Sequence, residues 1–176
     1  QKLYESVDKP DVTQIMKHKD GIDKVFYANG QLREETPYVN GVRHGIVRTY
    51  YSNGQLKAER NFSEGKQQGE AKTFYPDGAL EKTYTYADDM LNGPSLAYEP
   101  DGTLRAKAEF KNNVQVEQEI GYYPDGKTQY ILVYDDKGLL SGKIKEFYPN
   151  GQLKSETSYV NNNAEGTEQV YYENGA

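Results

Sequence analysis

The ten letters FYPNGQLKSE at positions 147–156 appear twice more with little change, as YYSNGQLKAE at 50–59 and FYANGQLREE at 26–35. Aligning the glycine in each copy gives Gly30, Gly54, Gly78, Gly102, Gly126, Gly151 and Gly175, spaced by 24 residues with a single step of 25. A second series in the same register runs Gly21, Gly45, Gly69, Gly93, Glu117, Gly142 and Gly166. A third runs Gly41, Gly65, Asp89, Asn113, Gly138 and Asn162. The substitutes in the third series are Asp and Asn, which tolerate a left-handed backbone best after glycine. Three series in register mean one structural unit copied about six and a half times. The extra residue falls between Tyr134 and Gly138, in a loop where insertion costs least.

The glycines leave no interval long enough for an ordinary helix. Between them the residues alternate. One set reads Leu56, Ala58, Arg60, Phe62, then Leu80, Lys82, Tyr84, Tyr86, then Leu104, Ala106, Ala108, Phe110. The intervening set reads Gln55, Lys57, Glu59, Asn61 and Thr103, Arg105, Lys107, Glu109. This period of two, with a mostly apolar face and a charged one, predicts a β-hairpin per unit. Asn-Gly alone suggests a two-residue turn. However, Pro76, Pro100, Pro124 and Pro149 precede Asp-Gly or Asn-Gly, where a two-residue turn needs a ladder N–H. A three-residue loop follows, with proline first and glycine in a left-handed bulge.

The motif Tyr-Tyr-x-Asn-Gly-Gln-Leu-Lys-x-Glu, followed by an aromatic, an Asn-Gly and His44-Gly45, resembles the MORN repeat in its bacterial variant form. The resemblance covers roughly positions 21–175, and repeat five departs most, with Glu117 for glycine and Thr128 for leucine. It implies an elongated, single-layer antiparallel sheet. Some bacterial relatives are labelled antitoxin components, others are surface or exported proteins, and eukaryotic relatives are associated with membranes and scaffolding. The fold expected is therefore all-β, an antiparallel meander of about six 24-residue hairpins, twisted or curled. Residues 21–176 form the array and residues 1–20 an N-terminal segment, in which Val12 to Met16 reads as a capping strand or short helix.

The bulk numbers fit a thin folded protein. Leu, Ile, Val and Phe make roughly a fifth of the chain, close to the composition of disordered segments. Seventeen tyrosines supply the missing apolar surface. A net charge of −6 without a basic block excludes nucleic acid as a natural partner and leaves little to attract anionic lipid. Cysteine is absent, so disulfides and thiolate chemistry are excluded. The chain opens at Gln1, which reads as a cleaved export signal or a trimmed start, with export or the cell surface favoured over the cytoplasm.

Catalytic patterns are missing. His18 and His44 are the only histidines, and no nucleophile elbow accompanies them. Asp88-Asp89 and Asp135-Asp136 lack the alternating oxygens of a calcium loop and read as loop acids. No enzyme and no cofactor or metal is expected.

Two features point to binding instead. Paired aromatics recur at Phe26/Tyr27, Tyr50/Tyr51, Phe74/Tyr75, Tyr122/Tyr123, Phe147/Tyr148 and Tyr171/Tyr172. One member of each pair is expected in the core row. The other, Tyr51, Tyr75, Tyr123 and Tyr148 among them, is expected on the second face, as core support or as a stacking platform. Repeat five reads TQYILVY, which places Ile131 and Val133 where other repeats carry Lys, Glu or Thr. An apolar spot on the charged face suggests a cover. These residues form the candidate interaction surface. The expected function is a repeat scaffold for protein–protein interaction, with self-association through an edge strand near Val170 to Tyr172 as one route. A carbohydrate or cell-envelope module using tyrosines is the alternative, followed by a lipid-associated protein.

Overall fold

In the computed structural model, which describes residues 19–174, the chain forms one open antiparallel sheet without a helix among those residues. The strands are β1 (Gly21–Phe26), β2 (Leu32–Val39), β3 (Val42–Arg43), β4 (Gly45–Tyr50), β5 (Leu56–Ser63), β6 (Lys66–Phe74), β7 (Leu80–Ala87) and β8 (Met90–Leu91). They continue as β9 (Gly93–Tyr98), β10 (Leu104–Lys111), β11 (Val114–Tyr122), β12 (Thr128–Tyr134), β13 (Gly142–Phe147), β14 (Leu153–Val160) and β15 (Asn163–Val170). Every main strand pairs with its sequence neighbours, so the sheet is a meander, with the short β3 and β8 attached to β2 and β7. The expected segment at Val12 to Met16 and His18 lie outside the described residues.

The proline-bearing loop has the geometry its sequence requires. The Gly78 N–H donates to the Tyr75 carbonyl at 2.9 Å, and the Tyr75 N–H donates to the Ala79 carbonyl at 2.8 Å. This encloses three residues, Pro76, Asp77 and Gly78, with Gly78 at φ 94° and a register shift beside it. Pro76 stands where no ladder N–H is needed. The Asp77 carboxylate accepts the Ala79 N–H at 3.0 Å, as Asn29, Asn53, Asp101, Asp125 and Asn150 do in their own loops. A short acceptor two residues before the return strand therefore explains the Asn/Asp alternation.

The third glycine series marks a different, two-residue turn with both residues left-handed. Asn40 and Gly41 have φ 53° and 78°, and Asp88 and Asp89 have 50° and 67°. Sequence pattern identified the second position of this turn but not the first, where Glu64 also sits at φ 50°. The inserted residue of repeat five changes this turn. Gly138 donates to the Asp135 carbonyl and Asp135 to the Leu139 carbonyl, so the two-residue turn has become the three-residue type.

Burial is shallow because a single layer has no second sheet to cover it. The buried hydrophobic residues are Val47, Ala58, Phe62, Ala71 and Val116. Phe62, at 7% exposure, belongs to a column of one ring per repeat, Tyr38, Phe62, Tyr86, Phe110, Tyr134 and Tyr159. Phe62 is its one buried ring, and the other five are half-buried. No member of the aromatic pairs is among the buried residues, so the expected core row of paired aromatics is not formed. The aromatic pairs flanking the turns have another use, described next.

Candidate interaction surfaces

The second tyrosine of each aromatic pair is a tether between repeats. Its hydroxyl donates to the backbone carbonyl of the first aromatic position one repeat later. The pairs are Tyr27 to Tyr50, Tyr51 to Phe74, Tyr75 to Tyr98, Tyr123 to Phe147 and Tyr148 to Tyr171, at 2.7 to 3.0 Å. Glu99 stands at the equivalent position of repeat four and breaks the series. Loop asparagines repeat the device: Asn29, Asn53 and Asn150 donate to carbonyls 23 residues on. An aspartate has no such donor, and in repeat five Lys127 Nζ reaches the Pro149 carbonyl instead, at 2.9 Å. What Tyr51, Tyr75, Tyr123 and Tyr148 offer a partner is thus a half-buried ring, with the hydroxyl already engaged.

The acidic pairs are likewise used by the fold. Asp89 accepts the Gln67 N–H at 2.7 Å, and Asp88 accepts from Lys66 Nζ and Gln68 Nε2. Asp135 accepts two backbone N–H groups, from Lys137 and Leu139. Among the described residues no three His, Asp or Glu side chains gather as a metal site would require. His44 is exposed, with Nδ1 3.6 Å from Glu64.

Register brings together what sequence distance separates. On the charged face, one row crosses the whole sheet: Lys24, Glu35, Arg48, Glu59, Lys72, Thr83, Leu96, Lys107, Ile120, Ile131, Lys145, Glu156 and Gln169, each paired with the next. At one end the row alternates in sign, with Lys24–Glu35 at 3.0 Å and Arg48–Glu59 at 2.8 Å. At the other, Glu156 meets Lys145 at 3.4 Å and also Lys143. The Lys24 ammonium and the Tyr50 hydroxyl hold Glu35 below its ordinary range, and the Glu156 carboxyl is lowered by Lys143.

In the middle the alternation fails. Leu96, Ile120 and Ile131 replace the charges, with Lys107 and Lys145 beside them. Ile131 therefore sits directly opposite Ile120, a neighbour the sequence reading did not name. The signal was available: Leu96 and Ile120 fall at 24-residue intervals from Lys24, Arg48 and Lys72. Val133 has a local partner of its own. A Cβ on Gly142 would come within 3.1 Å of its side chain, as one on Gly45 would meet Pro37 and one on Gly93 would meet Thr85. Val133 therefore packs under the junction glycine, whereas Ile131 faces Ile120.

The other face carries a row of mostly small residues, Thr49, Ala58, Thr73, Ala97, Ala106 and Gly121, interrupted by Lys82 between Thr73 and Ala97 and followed by Tyr130, Glu146 and Ser155. Three hollows lie along it, of about 480, 440 and 410 Å³. Tyr130 stands between the last two and lines both. Its ring lies over Gly121, where a Cβ would be 2.1 Å from the ring. Its hydroxyl donates to Glu119 at 2.8 Å, and Gln115 Nε2 donates to the same carboxylate at 2.7 Å. Burial, then the Glu119 hydrogen bond, pushes the Tyr130 phenol up to about 12.

The sequence profile described as MORN repeat variant matches residues 19–40, 43–64, 67–88, 91–112 and 140–161. The chain belongs to the MORN repeat variant family. Residues 113–139, which contain repeat five, fall between the matches. No curated protein matches the chain. Among solved structures, a chain from the work described as "Crystal structure of GtfA/B complex bound to UDP and GlcNAc" is similar at 12% identity and a TM-score of 0.29. The alignment covers 83% of this chain and 29% of that one.

Proposed function

We propose that the chain is a non-enzymatic binding scaffold that holds a protein partner on its charged face, at the apolar gap formed by Leu96, Ile120 and Ile131. The observation that carries this reading is the single continuous row. Ion pairs of alternating sign satisfy both of its ends, and each exposed pair contributes only about 0–1 kcal/mol, so nothing in the fold demands their loss. Replacing them with Ile120 opposite Ile131, between Lys107 and Lys145, makes an apolar centre with a polar rim, the anatomy of a protein interface. Family membership supports a repeat protein that binds; Ile120 and Ile131 lie in the stretch where the family pattern lapses, and Leu96 in the matched repeat before it.

The test exploits the repeat. Ile120→Glu with Ile131→Thr sets a carboxylate opposite Lys107 and a threonine beside Lys145, as Thr83 stands beside Lys72 in the same row, so the sheet should fold unchanged. Quantitative capture from extracts of the producing cells should retain one stoichiometric protein on the wild-type chain and lose it on the double variant. Equal capture by both would remove this face from the account, and unfolding of the variant would make Ile120 and Ile131 core residues.

A further inference from the structure

We propose that the furrow of mostly small residues on the opposite face binds a linear glycan, with the Tyr130 ring as its central stacking platform. The site stands independently of the apolar gap, from which the sheet itself separates it.

The platform is built from four groups. Gly121 provides a bare strand on which the ring rests, Glu119 holds the hydroxyl, and Gln115 holds Glu119. One ring face is therefore spent on the sheet and the other is turned outward. The corresponding pair one repeat earlier is Ala97 opposite Ala106, so neither the large ring nor the bare glycine is demanded by the repeat. The two departures compensate each other in volume and together raise a single flat ring above a floor of Ala97 and Ala106. Hollows of about 440 and 410 Å³ flank it, each within the range of a small-molecule site. A third hollow of about 480 Å³ continues the same line, bordered by the tethered rings of Tyr27 and Tyr51.

The chemistry of the walls selects the ligand. Charged groups of both signs line the furrow, seven cationic side chains and four carboxylates, with Glu146 and Lys154 paired at 3.0 Å. This mixture supplies acceptors and donors for hydroxyl groups, and its cationic excess suits glycans that carry carboxylates as well as neutral ones. The rings supply the complementary surface, since an aromatic face packs well against the C–H face of a sugar. An extended peptide fits poorly. The furrow crosses strands that are all paired with their neighbours, so no backbone N–H or C=O remains to satisfy a peptide backbone. A sugar chain carries its polar groups at the rim, where the side chains are. The elongated, segmented shape suits a chain of several sugar units rather than one.

Titration calorimetry of the full chain against the hexasaccharides of β-1,4-glucose, β-1,4-N-acetylglucosamine and α-1,4-galacturonic acid, with a proline-rich peptide alongside, tests this. At least one hexasaccharide should bind. The variant Tyr130→Ala with Gly121→Ala, which copies the Ala97/Ala106 pair and so keeps the fold, should weaken that binding by about tenfold or more. The Ile120→Glu, Ile131→Thr chain should bind as the wild type does. Binding of no hexasaccharide, equal binding by the Ala/Ala variant, loss on the opposite-face variant, or binding of the peptide alone would each overturn the proposal.

Discussion

A methyl group at position 121 would land on the Tyr130 ring, and the consequence is measurable. Gly121→Ala should destabilise the chain by about 1–3 kcal/mol through overpacking. Adding Tyr130→Ala should recover most of that loss, a strongly non-additive cycle that urea unfolding of the four proteins would show. Simple addition of the two costs would mean that the ring does not rest on the glycine. Tyr130 should also titrate near pH 12 by ultraviolet absorbance, and earlier in Glu119→Gln. The sign follows from the raised value. The stabilisation is complete below pH 10, where the free phenol is still protonated, and it disappears as the pH rises through 12. Sequence showed that repeat five was unusual at Ile131 and Val133, but not that Tyr130 needed Gly121, because that pairing lies across the β11–β12 register. It likewise gave the aromatic pairs without their use. A hydroxyl reaching a carbonyl 23 residues away leaves no mark on period-two alternation.

Hairpins and turns were the most legible elements, since proline and glycine state their backbone geometry directly. The three-residue loop at Pro76 follows from the missing N–H alone. What alternation does not encode is how one hairpin holds the next. Here the tethers matter, and their one gap makes a test. Glu99→Tyr should restore the missing hydroxyl, aimed at the carbonyl of Tyr122, and raise stability by about 0.5–1.5 kcal/mol. It gives up only a 3.8 Å contact between Glu99 and Arg105, exposed on both sides. Conversely, Tyr75→Phe should lower stability by about 0.5–1.5 kcal/mol, leaving the Tyr98 carbonyl without its donor. Thermal melts of the two variants should shift in opposite directions; shifts of the same sign would discount the ladder.

Across the whole molecule, stability is shared between neighbours, because no hairpin buries enough to stand alone. The charge row adds a pH dependence to this. Glu35 and Glu156 are held below their ordinary 4.5, so their contribution is present above that value and lost as the pH falls through the lower folded values. Denaturant midpoints should therefore decline on acidification below about pH 4.5, less steeply in Glu35→Gln. The row is charge-paired at both ends and apolar at Ile120 and Ile131, where the family pattern lapses, and the proposed partner would sit there. Lysine-reactivity footprinting in an extract of the producing cells tests that placement most directly. Lys107 and Lys145, beside Ile120 and Ile131, should be protected from acylation relative to the purified chain, while Lys24, at the far end of the same row, keeps its reactivity. Protection spread evenly over all three, or absent from Lys107 and Lys145, would contradict a partner seated at the apolar gap.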